Sequence, residues 1–151
     1  MTIESDIFIR ATRTYCQLSN EHDLDGIASL FAPDISYPPL GEDRSTVMAG
    51  QAAFRLKYPK VWWDLLDIRP AEIETDADGA VFYTFDRWWT DSNTGDVCRI
   101  HAGQTIQWRL DVAANKPQAT KFIYTLPSSE VQVCPSGYPD HARSRSFPWP
   151  C

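Results

Sequence analysis

Apolar residues recur at steps of three and four in the N-terminal part of the chain, which is the period of a helix with one buried face. The pattern predicts helices over residues 4–19, 24–31 and 48–63. Asp23 stands where an N-cap belongs, and Pro33 cannot continue the second helix. We therefore expect a helix hairpin that passes directly into a sheet.

The remaining part of the chain changes to strand-like runs separated by turn sequences rich in Asp, Asn and Gly. These runs predict strands over residues 35–37, 65–75, 80–91, 97–112 and 120–126. Helices first, followed by antiparallel strands joined by short turns, indicate an α+β domain.

The strand over residues 80–91 has no clean solvent-exposed face. Alternation places one set of side chains on one face, namely Phe82, Thr84, Asp86 and Trp88. The opposite face carries Val81, Tyr83, Phe85, Arg87 and Trp89. We expect one face to cover an internal cavity and the other to be covered by a second subunit, unless the C-terminal tail covers it. This predicts a homodimer formed through the sheet.

Composition narrows the class of protein. A chain of 151 residues is one domain with a single core. The net charge of −6 argues against a nucleic acid or an anionic membrane as partner. No run approaches the roughly 20 apolar residues of a membrane span, and the polar N-terminus does not look like a secretory signal, so we expect a cytoplasmic protein. The aromatic content of 13% fits either a Trp-rich core or an apolar ligand pocket.

The four cysteines show no paired spacing, which disfavours zinc or a redox pair. Reduced thiols are the default for an intracellular protein, although a Cys134–Cys151 bridge that fixes the tail is an alternative. No metal-ligand spacing is present, and we expect no metal and no cofactor.

The run that opens at Tyr15 resembles the start of the nuclear transport factor 2-like superfamily, and within it the ketosteroid isomerase and SnoaL-like (polyketide cyclase) members. The matching positions are Tyr15, Leu18, residues 23–27, residues 30–32 and Asp34, with Thr94-Gly95 fitting further on. The resemblance covers about residues 5–127. It implies a cone-shaped α+β barrel in which three N-terminal helices pack on a curved, mostly antiparallel sheet. The domain would span residues 1–128, and residues 129–151 would form a Pro-rich tail that lies over the cavity mouth or on a partner subunit.

The resemblance also implies catalytic candidates. Ketosteroid isomerases carry a tyrosine at the position of Tyr15 that donates to a developing enolate, whereas a plain core tyrosine is the alternative. Aligning Phe82 with an inward phenylalanine of that family turns Asp86 and Trp88 inward. Desolvation there would raise the pKa of Asp86 and suit it to acid–base work. The alternative is that Asp86 forms a salt bridge with an arginine.

His101, on the next strand, is the second acid–base candidate, since members of the wider superfamily pair an inward histidine with an aspartate. A strict alternation through Gln104 and Trp108 turns His101 outward, whereas a bulge at Gly103 would turn it inward. Aromatic residues are expected to enclose the substrate: Tyr37, Tyr58, Trp63, Trp88, Trp108 and Tyr124.

Departures from the family pattern leave two functions open. The general-base aspartate of ketosteroid isomerases would fall at Pro38 or Pro39 and the oxyanion-hole aspartate near Ile106, and neither carboxylate is present. We expect a cofactor-independent isomerase, cyclase or dehydratase that acts by acid–base chemistry on a small, largely apolar secondary-metabolite intermediate of polyketide or terpenoid type. The alternative is a non-catalytic module of the same fold that binds a small molecule or dimerises.

Overall fold

Three helices pack on a curved, open, mixed sheet of seven strands in the computed structural model, which describes residues 3–138, with side chains from residue 6. The helices are α1 (Ile3–Glu21), α2 (Leu24–Ser29) and α3 (Arg44–Lys57). The strands are β1 (Phe31–Tyr37), β2 (Gly41–Glu42), β3 (Trp62–Pro70), β4 (Gly79–Thr90), β5 (Val97–Asp111), β6 (Lys116–Leu126) and β7 (Gln132–Val133). The predicted α+β class is confirmed.

The sheet has the order β2-β1-β6-β5-β4-β3, and β7 pairs with β5 beside this path. Strands β1 and β6 run parallel, and the other pairs are antiparallel, so the predicted mostly antiparallel sheet is confirmed. Strand β7 comes from the predicted tail. Ser129 N–H donates to His101 O at 2.8 Å, and Cys134 N–H donates to Val97 O at 2.8 Å. The tail therefore begins by extending the sheet, and its residues from 139 onward lie outside the described residues.

The helix hairpin forms as the caps predict, but α2 ends early. The Asp23 carboxylate accepts the Gly26 N–H at 3.0 Å and caps the first turn. The prediction that α2 continues to Phe31 is wrong, because Ala119 N–H on β6 donates to Leu30 O at 2.7 Å. The backbone therefore pairs with the sheet from Leu30 onward, and α2 ends before it reaches Pro33.

Helix α3 begins and ends earlier than its apolar pattern predicts. The Asp43 carboxylate accepts the Thr46 N–H at 2.8 Å, so the helix starts at Arg44 rather than Met48. It ends at Lys57, before Pro59. Trp63 therefore belongs to β3 and not to the third helix as predicted.

The core under α1 depends on a close contact with the sheet. The Phe8 ring lies against the backbone of Gly79 and stacks on Trp108 with ring centroids 6.4 Å apart. The Trp108 indole N–H donates to Thr12 Oγ1 at 3.0 Å, and the Thr12 hydroxyl donates to Phe8 O at 2.9 Å. All polar groups of this contact are thus satisfied, and α1 is held on the inner face of the sheet.

The cysteines are not all reduced, contrary to the expectation for an intracellular protein. Cys16 and Cys98 are free and buried. Cys134 takes part in a disulfide, so among the described cysteines the expectation of reduced thiols holds for Cys16 and Cys98 alone. Cys151, the predicted partner of Cys134, lies outside the described residues.

No helix within residues 3–138 has the length and apolar character needed to cross a membrane.

We predict that Gly79→Ala destabilises the protein by about 1–3 kcal/mol, because a Cβ at this position would lie 2.1 Å from the Phe8 ring. Urea unfolding measures the change. In a Phe8→Ala background the same substitution should cost little, since the obstructing ring is gone. An equal cost in both backgrounds would contradict the contact.

Candidate functional site

A cavity of about 140 Å³ lies between α1, α3 and the inner face of the sheet. Its wall is largely aromatic and aliphatic, with a small number of polar side chains. The lining residues are Tyr15, Cys16, Ser19, Tyr37, Pro39, Leu40, Gln51, Phe54, Trp63, Leu65, Tyr83, Phe85, Arg87, Gln104 and Tyr124. No Asp, Glu or His is among these lining residues.

The pairing of β4 with β5 decides which side chains reach the cavity. The ladder is unbroken from Gly79 opposite Trp108 to Thr90 opposite Val97. Tyr83 lies opposite Gln104, so these two side chains share one face, and alternation adds Phe85 and Arg87 to it. The inner face is therefore the odd-numbered face of β4.

Three tyrosine hydroxyls and one amide form a hydrogen-bonded chain along the cavity wall. The Tyr83 hydroxyl donates to Gln104 Oε1 at 2.5 Å. The Gln104 amide donates to the Tyr37 hydroxyl oxygen at 3.3 Å, and the hydroxyls of Tyr37 and Tyr15 lie 3.4 Å apart. The chain fixes the orientation of all four side chains.

One hydroxyl proton is not used within this hydrogen-bonded chain. Tyr83 and Gln104 use their protons within the chain, and one of the two hydroxyl protons of Tyr15 and Tyr37 completes the bond between them. The Gln51 side chain also lies close enough to the Tyr15 hydroxyl to lower its pKa through a hydrogen bond, and no further hydrogen bond uses the other hydroxyl proton in the described part of the chain. The cavity therefore offers a hydroxyl donor near Tyr15, beside a ring cluster in which Tyr37 stacks on Phe122 with centroids 4.1 Å apart.

Burial keeps three phenols and one thiol of the wall neutral. It raises the pKa of Tyr15, and it raises those of Tyr37 and Tyr83 well above the usual value. It also raises the pKa of the Cys16 thiol to about 12. At neutral pH these groups donate hydrogen bonds, and none of them is a base.

Two guanidinium groups lie at the α3 end of the cavity. Arg55 is buried, where it donates to Gln51 Oε1 at 2.5 Å and to Ser19 O at 3.2 Å. Arg87 lines the cavity, and its guanidinium carbon lies 5.3 Å from the Phe54 ring centroid and 5.0 Å from that of Trp89. Burial lowers the pKa of both arginines.

Four of the predicted site residues line the cavity, namely Tyr15, Tyr37, Trp63 and Tyr124. The predicted substrate-binding residue Tyr58 does not line it but packs against the lining residue Phe54 with centroids 5.1 Å apart.

Trp108 and Trp88 are not in the cavity wall, contrary to prediction. Trp108 is fully buried under α1 against Phe8. Trp88 lies on the outer face of the sheet, where the Arg99 guanidinium carbon is 5.3 Å from its ring centroid. Both tryptophans are core or sheet-packing residues.

The predicted meeting of Asp86 and His101 with Tyr15 in one cavity is wrong. Asp86 lies opposite His101 on the outer face of the sheet, because the unbroken β4–β5 ladder puts no bulge at Gly103 in this pair. His101 Nδ1 lies 3.0 Å from Asp86 Oδ1, and Arg99 Nη1 lies 3.9 Å from the other carboxylate oxygen. The salt-bridge alternative for Asp86 is the arrangement that forms.

The sequence prediction missed Tyr83, Phe85, Arg87 and Gln104 because it placed the even-numbered face of β4 inside. A usable signal was present. A hairpin centred on Asn93-Thr94 pairs Tyr83 with Gln104, and the apolar alternation of Ile106 and Trp108 marks the face of Gln104 as buried.

Among the described residues, no three His, Cys, Asp or Glu side chains come together where they could hold a metal ion.

Comparison with solved structures shows several of the same overall fold. A nuclear transport factor 2-like superfamily protein from Salmonella enterica serovar Typhimurium matches with a TM-score of 0.68 at 13% identity, covering 83% of this chain and 92% of that one. A ketosteroid isomerase-like protein from Erwinia carotovora matches with a TM-score of 0.60 at 13% identity, covering 81% and 95%.

A third similar structure contains a ligand. The Mycobacterium tuberculosis protein RV0760c, in complex with estradiol-17β-hemisuccinate, matches with a TM-score of 0.61 at 14% identity, covering 82% of this chain and 95% of that one. No protein-family model and no curated protein sequence matches this chain.

We predict that the protein loses stability as the pH rises above 9. The unfolded Cys16 thiol releases its proton near its ordinary pKa of 9.0, whereas the folded thiol keeps it to about pH 12. Between these values the folded state binds more protons, so stability falls by up to about 1.4 kcal/mol per pH unit for this group. Urea unfolding at pH 8, 9, 10 and 11 measures the slope. Cys16→Ala should lower the slope by this amount, whereas the buried tyrosines still contribute above pH 10 in both proteins. An unchanged slope would contradict the burial of the thiol.

Proposed function

We propose, on the premise that this chain has the nuclear transport factor 2-like fold, that its cavity binds a small molecule with a single ring and an oxygen acceptor. The observation that carries the proposal is the composition of the cavity wall, which combines aromatic rings and hydrogen-bond donors with no carboxylate and no imidazole.

The cavity volume sets the size of the ligand. A cavity of about 150 Å³ holds benzene, and this one measures about 140 Å³. Pockets for drug-sized ligands span about 300–1,000 Å³. One six-membered ring with a short substituent fits this space, whereas a multi-ring polyketide or terpenoid does not fit inside it without a wider opening.

The polar groups set the chemistry of the substituent. The spare hydroxyl proton of the Tyr15–Tyr37 pair and the Arg87 guanidinium are donors. The buried Ser19 hydroxyl also lines the cavity and has no hydrogen-bond partner in the described part of the chain. A bound ring would pair these groups if it carried a carbonyl, phenolic or carboxyl oxygen. The ligand of RV0760c, a steroid ester of a dicarboxylic acid, is an oxygen-bearing ring compound of larger size.

We predict that Leu65→Trp abolishes the binding of phenol or weakens it at least tenfold, because Leu65 lines the cavity and an indole ring would occupy the space of the ligand. Titration calorimetry measures the affinity. Leu66→Trp is the matched control, since Leu66 is the next residue of β3 and its side chain is 44% exposed. Equal loss in both variants, or no loss in Leu65→Trp, would contradict binding in this cavity.

The donor pair predicts a preference for oxygen. Phenol should bind more tightly than toluene, and the double variant Tyr15→Phe/Tyr37→Phe should reduce this preference by about three- to tenfold, because either single substitution leaves one hydroxyl proton free. Tyr124→Phe serves as the control, because Tyr124 lines the cavity without a hydrogen bond to the Tyr15–Tyr37 pair. An undiminished preference in the double variant would show that a group other than the Tyr15–Tyr37 pair donates to the ligand oxygen.

An isomerase or lyase is the second candidate function. The observation that favours it is the same tyrosine donor, which could stabilise an oxyanion that develops on a carbonyl substrate. The described cavity wall has no base to remove a proton, so we rank this function below binding. If it holds, Asp86 and His101 would have to act from the outer face of the sheet, where they do not meet Tyr15.

We predict that the protein does not accelerate exchange of the methyl protons of acetophenone in D₂O at pH 7. The ring and carbonyl of acetophenone suit the cavity, but proton removal needs a base that the described wall lacks. Proton NMR follows the exchange. Exchange clearly faster than in a protein-free sample, and lost in Tyr15→Phe, would favour the isomerase or lyase.

We also propose that the protein forms a homodimer through the outer face of the sheet. Leu66, Val131 and Val133 expose apolar side chains. Light scattering after size exclusion would give the mass of the assembly, and a monomer at micromolar concentration would remove the dimer from the account.

A further inference from the structure

We propose that the ligand of the cavity is an organic anion, a small arene carboxylate, and that Arg87 binds its carboxylate. This inference deepens the proposed binding function and depends on it. It specifies that the ligand is negatively charged. The size of the cavity and its hydroxyl donors do not determine the charge of the ligand.

The Arg87 side chain has no hydrogen-bond acceptor and no anionic partner in the described part of the chain. Ion pairs of the described residues engage Arg99, Arg109, His101 and Lys121, but not Arg87. Its Nε is buried without an acceptor.

The Arg87 guanidinium packs between two aromatic rings. Its central carbon lies 5.3 and 5.0 Å from the ring centroids of Phe54 and Trp89. The N–H groups at the edge of a guanidinium form the fork that matches a carboxylate with two parallel hydrogen bonds. The two rings therefore restrict the position of the guanidinium without accepting a conventional hydrogen bond from it.

The charge of Arg87 carries an energetic cost. A half-buried cation without an acceptor is costly unless an anion or a set of hydrogen-bond acceptors compensates its charge. Burial lowers the pKa of Arg87, as expected for a charge that the surrounding protein does not neutralise. Nearby Arg55 is buried as well and binds neutral oxygens of Gln51 and Ser19, so it adds positive potential without supplying an anion.

The remaining wall favours the same ligand. The cavity contains no acidic lining residue that would repel a carboxylate. The rings of Phe54, Trp63 and Phe85 line it and can enclose an arene. A single ring of about the size of benzene fills most of the volume, which leaves room for one small charged substituent.

Benzoate and benzamide test the charge directly, because the two have almost the same shape and differ in charge. Titration calorimetry at pH 7 should show that the wild-type protein binds benzoate at least about tenfold more tightly than benzamide. Equal affinities, or tighter binding of benzamide, would overturn the inference and leave the proposed function in place. Binding of neither compound, nor of phenol, would overturn the proposed function together with the inference.

Substitution of Arg87 locates the effect. In Arg87→Gln the preference for benzoate should fall to within about threefold of unity, while benzamide keeps its affinity. Arg69→Gln is the matched control, since Arg69 also lies over a ring, 5.0 Å from the Phe82 centroid, but outside the cavity lining. It should retain the full preference. A preference that persists in Arg87→Gln, or vanishes equally in Arg69→Gln, would overturn the assignment to Arg87.

Arg87→Lys keeps the test decisive if Arg87→Gln does not fold, as judged by circular dichroism. Lysine keeps the charge but loses the two-pronged fork. We expect an intermediate preference for benzoate, weaker than in the wild type and stronger than unity. A full wild-type preference in Arg87→Lys would show that the fork does not bind the carboxylate, and the preference would then be one of long-range charge alone.

Discussion

The unbroken pairing of β4 with β5 is the constraint on which the rest of the site depends. Its register puts Tyr83 opposite Gln104 and Asp86 opposite His101. Because side chains alternate along a strand, the two pairs must lie on opposite faces of the sheet, and it is the first pair that lines the cavity under the helices. The same pairing with the opposite face turned inward would exchange a tyrosine–glutamine wall for a carboxylate–imidazole wall. The chemistry of the cavity therefore depends on strand register together with the face that packs against the helices.

The inner face of the sheet has a close-packed region near α1 and a cavity towards α3. Near α1, Phe8, Trp108 and Thr12 fill the space and satisfy every polar group, so that part of the interior is structural. Towards α3, the packing stops short and leaves the cavity, with donors that have no acceptor. Buried donors without an acceptor cost free energy, and a bound acceptor would recover it.

Much of the fold could be predicted from the sequence, because local patterns determine it. The apolar spacing of residues 4–19 predicted α1, and Asp23 acts as the cap that its position predicted. The limits of α2 and α3 were predicted poorly, since the end of α2 depends on a hydrogen bond to β6, which is distant in sequence. The start of α3 after Asp43 is likewise not visible in the apolar pattern, because the first turn of the helix is polar.

The candidate site could be predicted only in part. Tyr15 and Tyr37 were found through the resemblance and the aromatic pattern, and both line the cavity. Aligning Phe82 with an inward phenylalanine of a related family predicts that Asp86 faces inward, whereas the hairpin register and the apolar alternation of β5 place Asp86 on the outer face. The same alignment turns Arg87 outward, and a charged side chain on an outer face is an ordinary surface residue and not a site candidate.

The position of a bound ring tests this account most directly. A crystal grown with 4-bromophenol would reveal the bromine by its anomalous scattering, independently of how the protein is interpreted. The account predicts a peak in the space enclosed by Tyr15, Phe85 and Arg87. A peak beside Asp86 and His101 on the outer face, with the inner space empty, would contradict it.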